Sequence, residues 1–198
     1  MHVSIRHQTQ YSYSRPVALD PHSLRLRPRQ DGSQLIRRYT LEITPRPAGL
    51  TEFTDLEGNA ASQVWFSDLT DTLSILVMAE VETLRENPFD FVIAEPGVMT
   101  LPVRYPDLTR HSLRPYCIPT QGDGPVTWYA DEIARETGCD TLRFLTALTE
   151  DLYERIAHVV RPAGEPQTPE ATLKLGAGAS RDLAVLFIEA CRTQGIAA

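Results

Sequence analysis

Cysteine is scarce. Three cysteines in 198 residues, Cys117, Cys139 and Cys191, are too few and too scattered for a disulfide framework. No two have Cys-x-x-Cys spacing, and no two histidines share metal-ligand spacing with a carboxylate or thiol, so no metal is expected; no cofactor is implied. Basic charge is also in deficit. Nineteen Lys+Arg stand against 26 Asp+Glu, a formal charge of −7 with a pI near 5.2. A general nucleic-acid binder needs a net basic surface, so nucleic acid is not an expected partner. No apolar run approaches the ~20 residues of a membrane helix, so a membrane role is not expected either. The N-terminus, Met-His-Val-Ser-Ile-Arg-His-Gln, has no basic segment leading into an apolar one, which argues against a secretory leader and for a cytoplasmic protein. What is present is ordinary globular usage, 42% hydrophobic and 23% charged. At about 100–200 residues per domain the chain is one domain or two small ones, and it is long enough to bury roughly 70% of its unfolded surface without staples.

The first part of the chain reads as strands. Val3, Ile5, His7, Thr9, Tyr11 and Tyr13 alternate onto one face, the period of a half-buried strand. Leu24 and Leu26 alternate with Arg25 and Arg27 until Pro28, and Tyr39, Leu41 and Ile43 alternate until Pro45. Asp55-Leu56-Glu57-Gly58-Asn59 is a turn, because Gly and Asn tolerate positive φ. Val64, Trp65 and Phe66 follow as a strand, and Leu73, Ile75, Val77, Ala79 and Val81 give the clearest alternation in the chain. Short strands separated by turn signals predict an antiparallel β-sandwich over 1–84. Pro88, Pro96, Pro102, Pro106, Pro115 and Pro119 then argue against long helices and central strands over 85–123. That stretch is expected to be a wrapping connector packed by Phe89, Phe91, Tyr105 and Tyr116.

Residues 124–198 turn helical. Pro125 fits the first turn of a helix to about Thr137, with Gly138 past its end and Trp128, Ile133 and Ala134 on its buried side. Asp140 caps a second helix running to about His158, whose stripe is Leu142, Leu145, Leu148, Leu152 and Ile156. Thr168-Pro169-Glu170 starts a short helix through about Leu173. Gly176-Ala177-Gly178-Ala179 is a small-residue turn, and a last helix runs from about Ser180 to Gln194, backed by Leu183, Leu186, Phe187, Ala190 and Cys191 and stopped by Gly195. The fold class is therefore α+β.

The chemistry concentrates where that glycine-bearing turn delivers Ser180 to the start of an amphipathic helix. A helix N-terminus presents unpaired N–H groups and partial positive charge. A thiolate placed there has a lowered pKa, and an oxyanion formed there can be held by the same N–H groups. Gly176 and Gly178 leave room for a substrate to approach the backbone. The residue at the tip, however, is serine. On pattern alone Ser180 reads equally as an N-cap, Gly176 and Gly178 as a turn, and Arg181 and Asp182 as charges of a first helical turn, where Asp favours the dipole. Cys191 reads as a small core residue, Cys117 and Cys139 as bystanders, and His158 as a dipole partner at a helix C-terminus rather than a base.

The segment Gly176-Ala-Gly-Ala-Ser-Arg-Asp182, the apolar helix after it, Cys191-Arg192 and Gly195-Ile-Ala-Ala198 resemble the nucleophile motif of the bacterial transglutaminase-like proteins, a family of cysteine-protease-like enzymes. That motif reads Gly-x-Gly-x-Cys-Arg-Asp, so the family's cysteine falls on Ser180. The resemblance extends to His7-Gln-Thr-Gln-Tyr-Ser-Tyr13, to the Pro21-His22 and Leu24-Arg-Leu-Arg-Pro28 stretch, and to Asp55–Asn59, which look like the family's N-terminal β-domain. It implies that 124–198 is the helical first half of a papain-like, transglutaminase-like core. It implies a parent thiol enzyme acting on amide bonds of a protein or peptide, forming an acyl-enzyme and passing the acyl group to an amine or water. Ser180 would hold the nucleophile's position, with Gly178, Arg181 and Asp182 as binding neighbours. It also implies a sheet beyond Ala198 that supplies a base His and its Asp, so the chain is expected to be a truncated piece.

A serine hydroxyl has almost no alkoxide at neutral pH. The chain as it stands is therefore expected to be inactive on amides, and whether it counts as an enzyme stays open. The competing expectation is a non-catalytic β-sandwich module with a degenerate core, whose apolar helix face a second copy of the chain would cover. A serine hydrolase is the third reading, disfavoured because Arg181-Asp182 follows the serine where a Gly-x-Ser-x-Gly elbow needs glycine.

Overall fold

The computed structural model describes residues 1–85, 87, 89–120 and 122–198. Pro88, one of the prolines counted above, lies outside them. Two compact units result, Met1–Phe91 and Val92–Ala198.

The first unit holds two three-stranded antiparallel sheets. β6 (Thr70–Thr83) is central in one, between β1 (His2–Val17) and β3 (Gln34–Thr44). β5 (Ala60–Trp65) is central in the other, between β2 (His22–Leu24) and β4 (Gly49–Thr54). The alternation of β6 is obeyed in full, with Leu73, Ile75, Val77, Ala79 and Val81 all buried. On β5 Ala61, Ser62 and Val64 are buried, while Trp65 at the end of the strand is exposed. β1 departs from the expected face. Val3, Thr9 and Tyr13 are half-buried, but Ile5, His7 and Tyr11 are exposed, because β1 is an edge strand with one neighbour to cover it. The Asp55 turn forms as read: Gly58 has φ 77°, and the Asp55 carboxylate accepts from the N–H of Glu57 and Asn59 and from Arg25 Nε at 2.7 Å.

The second unit begins inside the stretch expected to be a connector. Leu101 and Val103 are core residues there, and their N–H groups donate to Cys139 and Gln194 carbonyls at 2.8 and 2.9 Å. The proline count misleads further along, where α1 (Asp107–Cys117) forms. Pro106 sits at its N-cap and Pro115 in its last turn. Pro106, just outside the helix, needs no intrahelical bond, and few bonds follow Pro115 for it to interrupt. Of the expected packing aromatics Tyr105 is half-buried against the core and its hydroxyl accepts from Ala197 N at 3.0 Å, while Phe89, Phe91 and Tyr116 are exposed.

α2 (Pro125–Glu136), α3 (Thr141–Arg155), α4 (Pro169–Leu175) and α5 (Ser180–Thr193) enclose the core. Gly138 follows α2 with φ 66°. Asp140 caps α3 by accepting from Arg143 N at 2.8 Å, and Thr168 caps α4 by accepting from Ala171 N at 3.2 Å. Two stripes are rotated from expectation. Trp128 is 61% exposed and donates to Asp123, whereas Val126, Tyr129, Ala130, Ile133 and Ala134 are buried. On α3 Leu142 is exposed and Phe144 takes the core position beside Leu148, Leu152 and Ile156. Complete burial of Phe144, Leu148 and Leu186 contributes about 1.5–3 kcal/mol each by transfer from water. α3 ends at Arg155, short of the expected limit. Ala157–His158 instead forms β7, paired in parallel with β8 (Ala177–Gly178) in the register Ala157↔Ala177 and His158↔Gly178.

Candidate functional site

The β7–β8 pair joins two segments twenty residues apart in sequence. Ala157 N donates to Gly176 O at 2.8 Å and Val159 N to Gly178 O at 2.9 Å, which fixes the chain on either side of His158. Gly176 ends α4 in the left-handed conformation, φ 61°, a backbone state suited to glycine. Gly178 is needed for a different reason. A Cβ there would stand 2.9 Å from Asp182 Cβ and 3.2 Å from Thr172 Cγ2. The small-residue turn is thus a helix cap followed by a tightly packed two-residue strand.

Ser180 emerges from this turn as the first residue of α5, and Ala179 is the N-cap. The serine side chain does not cap the helix. It is exposed, and its Oγ lies 3.0 Å from His158 Nε2. The N–H groups of Ser180 and Arg181, at the first turn, have no carbonyl four residues back within the helix to pair with. Position 180 therefore stands where the sequence expects it, at the positive end of an apolar-backed helix. His158 is not at a helix C-terminus but on a strand facing the serine. The local pattern could not reveal this, since the contact spans 22 residues.

Asp182 is the anchor of the site. It is completely buried, and its two oxygens accept from Arg161 Nη1 at 2.7 and 2.6 Å, from Gln167 N at 2.8 Å and from Ala179 N at 2.8 Å. The last of these is half of a capping box, an N3 carboxylate taking the N-cap N–H. The Arg161 guanidinium, followed by the N–H groups of Gln167 and Ala179, holds the Asp182 carboxyl well below the usual carboxylate range, at about 2, against a burial cost that acts the other way. Arg181 adds a second tie. Its guanidinium donates to the carbonyls of Arg161 and Ala163 at 2.9 and 3.0 Å, holding the 161–163 loop against the helix start. Arg181 and Asp182 thus position the turn and loop around residue 180. No sequence signal pointed to Arg161 or Gln167, which reach the site only through the folded loop.

Cys191 is buried in the core, and desolvation pushes its thiol up to about 12. Burial also raises Cys117. Among the described residues no carboxylate forms an ion pair with His158, and no group of three His, Cys, Asp or Glu could hold a metal. No helix of the described residues is long and apolar enough to cross a membrane.

The antiparallel sheets and the helical core together define an α+β protein. Residues 3–82 match the family model of the bacterial transglutaminase-like N-terminal region. The fold of nearly the whole chain is shared with the crystal structure of a "putative cysteine protease" from Cytophaga hutchinsonii, with a TM-score of 0.62 at 17% identity over 98% of this chain. The chain spans 66% of the length of that protein. A search of curated proteins gives no match.

Proposed function

We propose that the second unit carries an acyl-transfer site of the transglutaminase-like kind, with the side chain at position 180 as the attacking group. The target is a carboxamide or peptide carbonyl of a protein or peptide. Attack would form an acyl-enzyme, and an amine or water would release it. The observation that carries this reading is an exposed side chain at the first position of α5, its preceding N–H held by a buried carboxylate. A thiol is the nucleophile suited to amides at such a place. Serine is far weaker, and the chain with Ser180 is proposed to leave amides untouched.

The test is Ser180→Cys treated with iodoacetamide at pH 6. The helix terminus should lower the pKa of the introduced thiol, so that it alkylates at least tenfold faster than free cysteine. Alkylation no faster than free cysteine would refute the reading. Wild-type protein should release nothing from a peptide anilide and incorporate no amine. The second reading, a non-catalytic module, is favoured by one observation, the serine itself; it expects the introduced thiol to be unexceptional.

A further inference from the structure

The geometry points to a second chemistry at the same site: His158 is the general base for the Ser180 hydroxyl, and the pair makes the chain a serine-type esterase for activated carboxylic esters. This rests on the reading of position 180 given above. It adds a base that the family motif does not contain and a substrate class that differs from amides.

The 3.0 Å contact between His158 Nε2 and Ser180 Oγ is within the range needed for proton transfer. Both side chains are exposed, so a substrate can reach them. Their approach is not a chance of two flexible side chains. The parallel ladder sets His158 opposite Gly178, two residues before the serine, and the Asp182 clamp holds the turn that carries Ser180. Ser180 is also free for the role, because Ala179 and not Ser180 is the helix cap.

In the first step the Ser180 hydroxyl proton passes to His158 Nε2 as Oγ bonds to the ester carbonyl carbon. The oxyanion forms beside the free N–H groups at the start of α5. The bond from carbon to the leaving oxygen then breaks, and the leaving alkoxide or phenolate takes the proton from the imidazolium. In the second step water bonds to the acyl carbon and gives a proton to His158. The bond to Oγ breaks, Oγ recovers the proton, and the acid leaves. The sum is ester plus water giving acid plus alcohol.

The substrate class follows from what supports the histidine. In a serine triad, replacing the carboxylate behind the histidine by its amide costs about 10⁴ in kcat. Among the described residues His158 has no carboxylate ion pair. A dyad so weakened suits esters with a good leaving group, which need little protonation on departure, and not amides, whose amine must be protonated to leave.

The experiment uses a fluorophosphonate probe and p-nitrophenyl acetate on the full chain. Mass spectrometry should find wild-type protein modified at Ser180, and Ser180→Ala unmodified. His158→Ala and His158→Gln should each slow modification by roughly 10²–10⁴-fold, the usual contribution of a general base. Free imidazole should restore part of the rate in His158→Ala and none in Ser180→Ala, a rescue that a merely structural role does not give. Circular dichroism of both His158 variants should match wild type, since the side chain is exposed. Wild-type protein unmodified at Ser180, or modified as fast with His158 replaced, would overturn the inference. If the thiol introduced by Ser180→Cys is fast with iodoacetamide while wild type resists the fluorophosphonate, the dyad fails and the acyl-transfer reading stands. If both fail, position 180 is not a nucleophile site.

Discussion

Gly178→Ala tests how tightly the turn before Ser180 is built. Gly178 is not in the left-handed region, so alanine meets no backbone penalty and the whole effect comes from crowding. The new methyl would stand 2.9 Å from Asp182 Cβ, 3.2 Å from Thr172 Cγ2 and 3.4 Å from Leu183 Cδ1. Two of these neighbours are wholly buried, Thr172 on α4 and Asp182 at the start of α5. Neither can rotate away, because Asp182 is held by four hydrogen bonds and Thr172 donates to Gln167. Overpacking a tight site in this way costs about 1–3 kcal/mol. In a domain of about 100 residues, each kcal/mol lowers Tm by roughly 4–8 °C. Thermal melts followed at 222 nm, which report the helical unit, should show this loss. Modification of Ser180 should slow as well, because relief of the clash moves the helix start that presents it. Gly176→Ala is the control. Its Cβ would come no nearer than 3.8 Å to Arg155 O, so its cost of about 1 kcal/mol arises from the positive φ alone. Gly178→Ala as stable as wild type, with an unaltered rate at Ser180, would refute the claim that packing at residue 178 sets the site.

Two further outcomes follow from the same contacts. Asp182 has its carboxyl pKa depressed to about 2 in the folded chain against an ordinary 3.8, so the unfolded state binds more protons in that interval and stability falls with falling pH. Its contribution is complete above about pH 4 and is lost towards pH 2. Asp182→Asn should therefore be less stable than wild type at pH 7 and show a flatter decline in 222 nm melting temperature over that window. An identical acid dependence in both proteins would show that the carboxylate is not a stabilising anchor. Cys191, with its thiol pushed up to about 12 by burial, should stay unreactive to a disulfide reagent at pH 8 until urea unfolds the helical unit, while the thiol introduced by Ser180→Cys reacts at once. Rapid native-state modification of Cys191, located by mass spectrometry, would contradict its burial.

The sequence was most legible where one residue's neighbours are its own chain neighbours. β6 alternates without fault because it is the central strand and both flanking strands cover it. The caps at Asp140 and Thr168 are local bonds over three residues and form as read. Periodicity was a weaker guide to which apolar side faces in. On α2 the large Trp128 suggested the core, but the residues at 126, 129, 130, 133 and 134 keep a continuous stripe and leave the indole outside. On α3 a ladder of leucines hid Phe144, since several overlapping stripes fit one leucine-rich helix. Proline density was misleading over 85–123, because Pro106 and Pro115 fall at the two ends of α1, where the helix loses least.

The site divides along the same line. Ser180 at a helix start was readable from glycines, small residues and the stripe that follows, all within one turn of chain. Its chemical partners were not. His158, Arg161 and Gln167 arrive from a segment that ends one helix, pairs in parallel with the turn and loops back, and only that two-residue ladder determines which side chain meets the serine. What the fold clamps is the backbone from 178 to 182, through groups that do not include the side chain at 180. Asp182 takes the Ala179 N–H, and Arg181 holds the loop, whatever atom residue 180 carries. Exchange of oxygen for sulfur at that position should therefore change the chemistry of the site while leaving its geometry in place. That separation is why Ser180→Cys and His158→Ala can be read as tests of chemistry, and Gly178→Ala as a test of the frame.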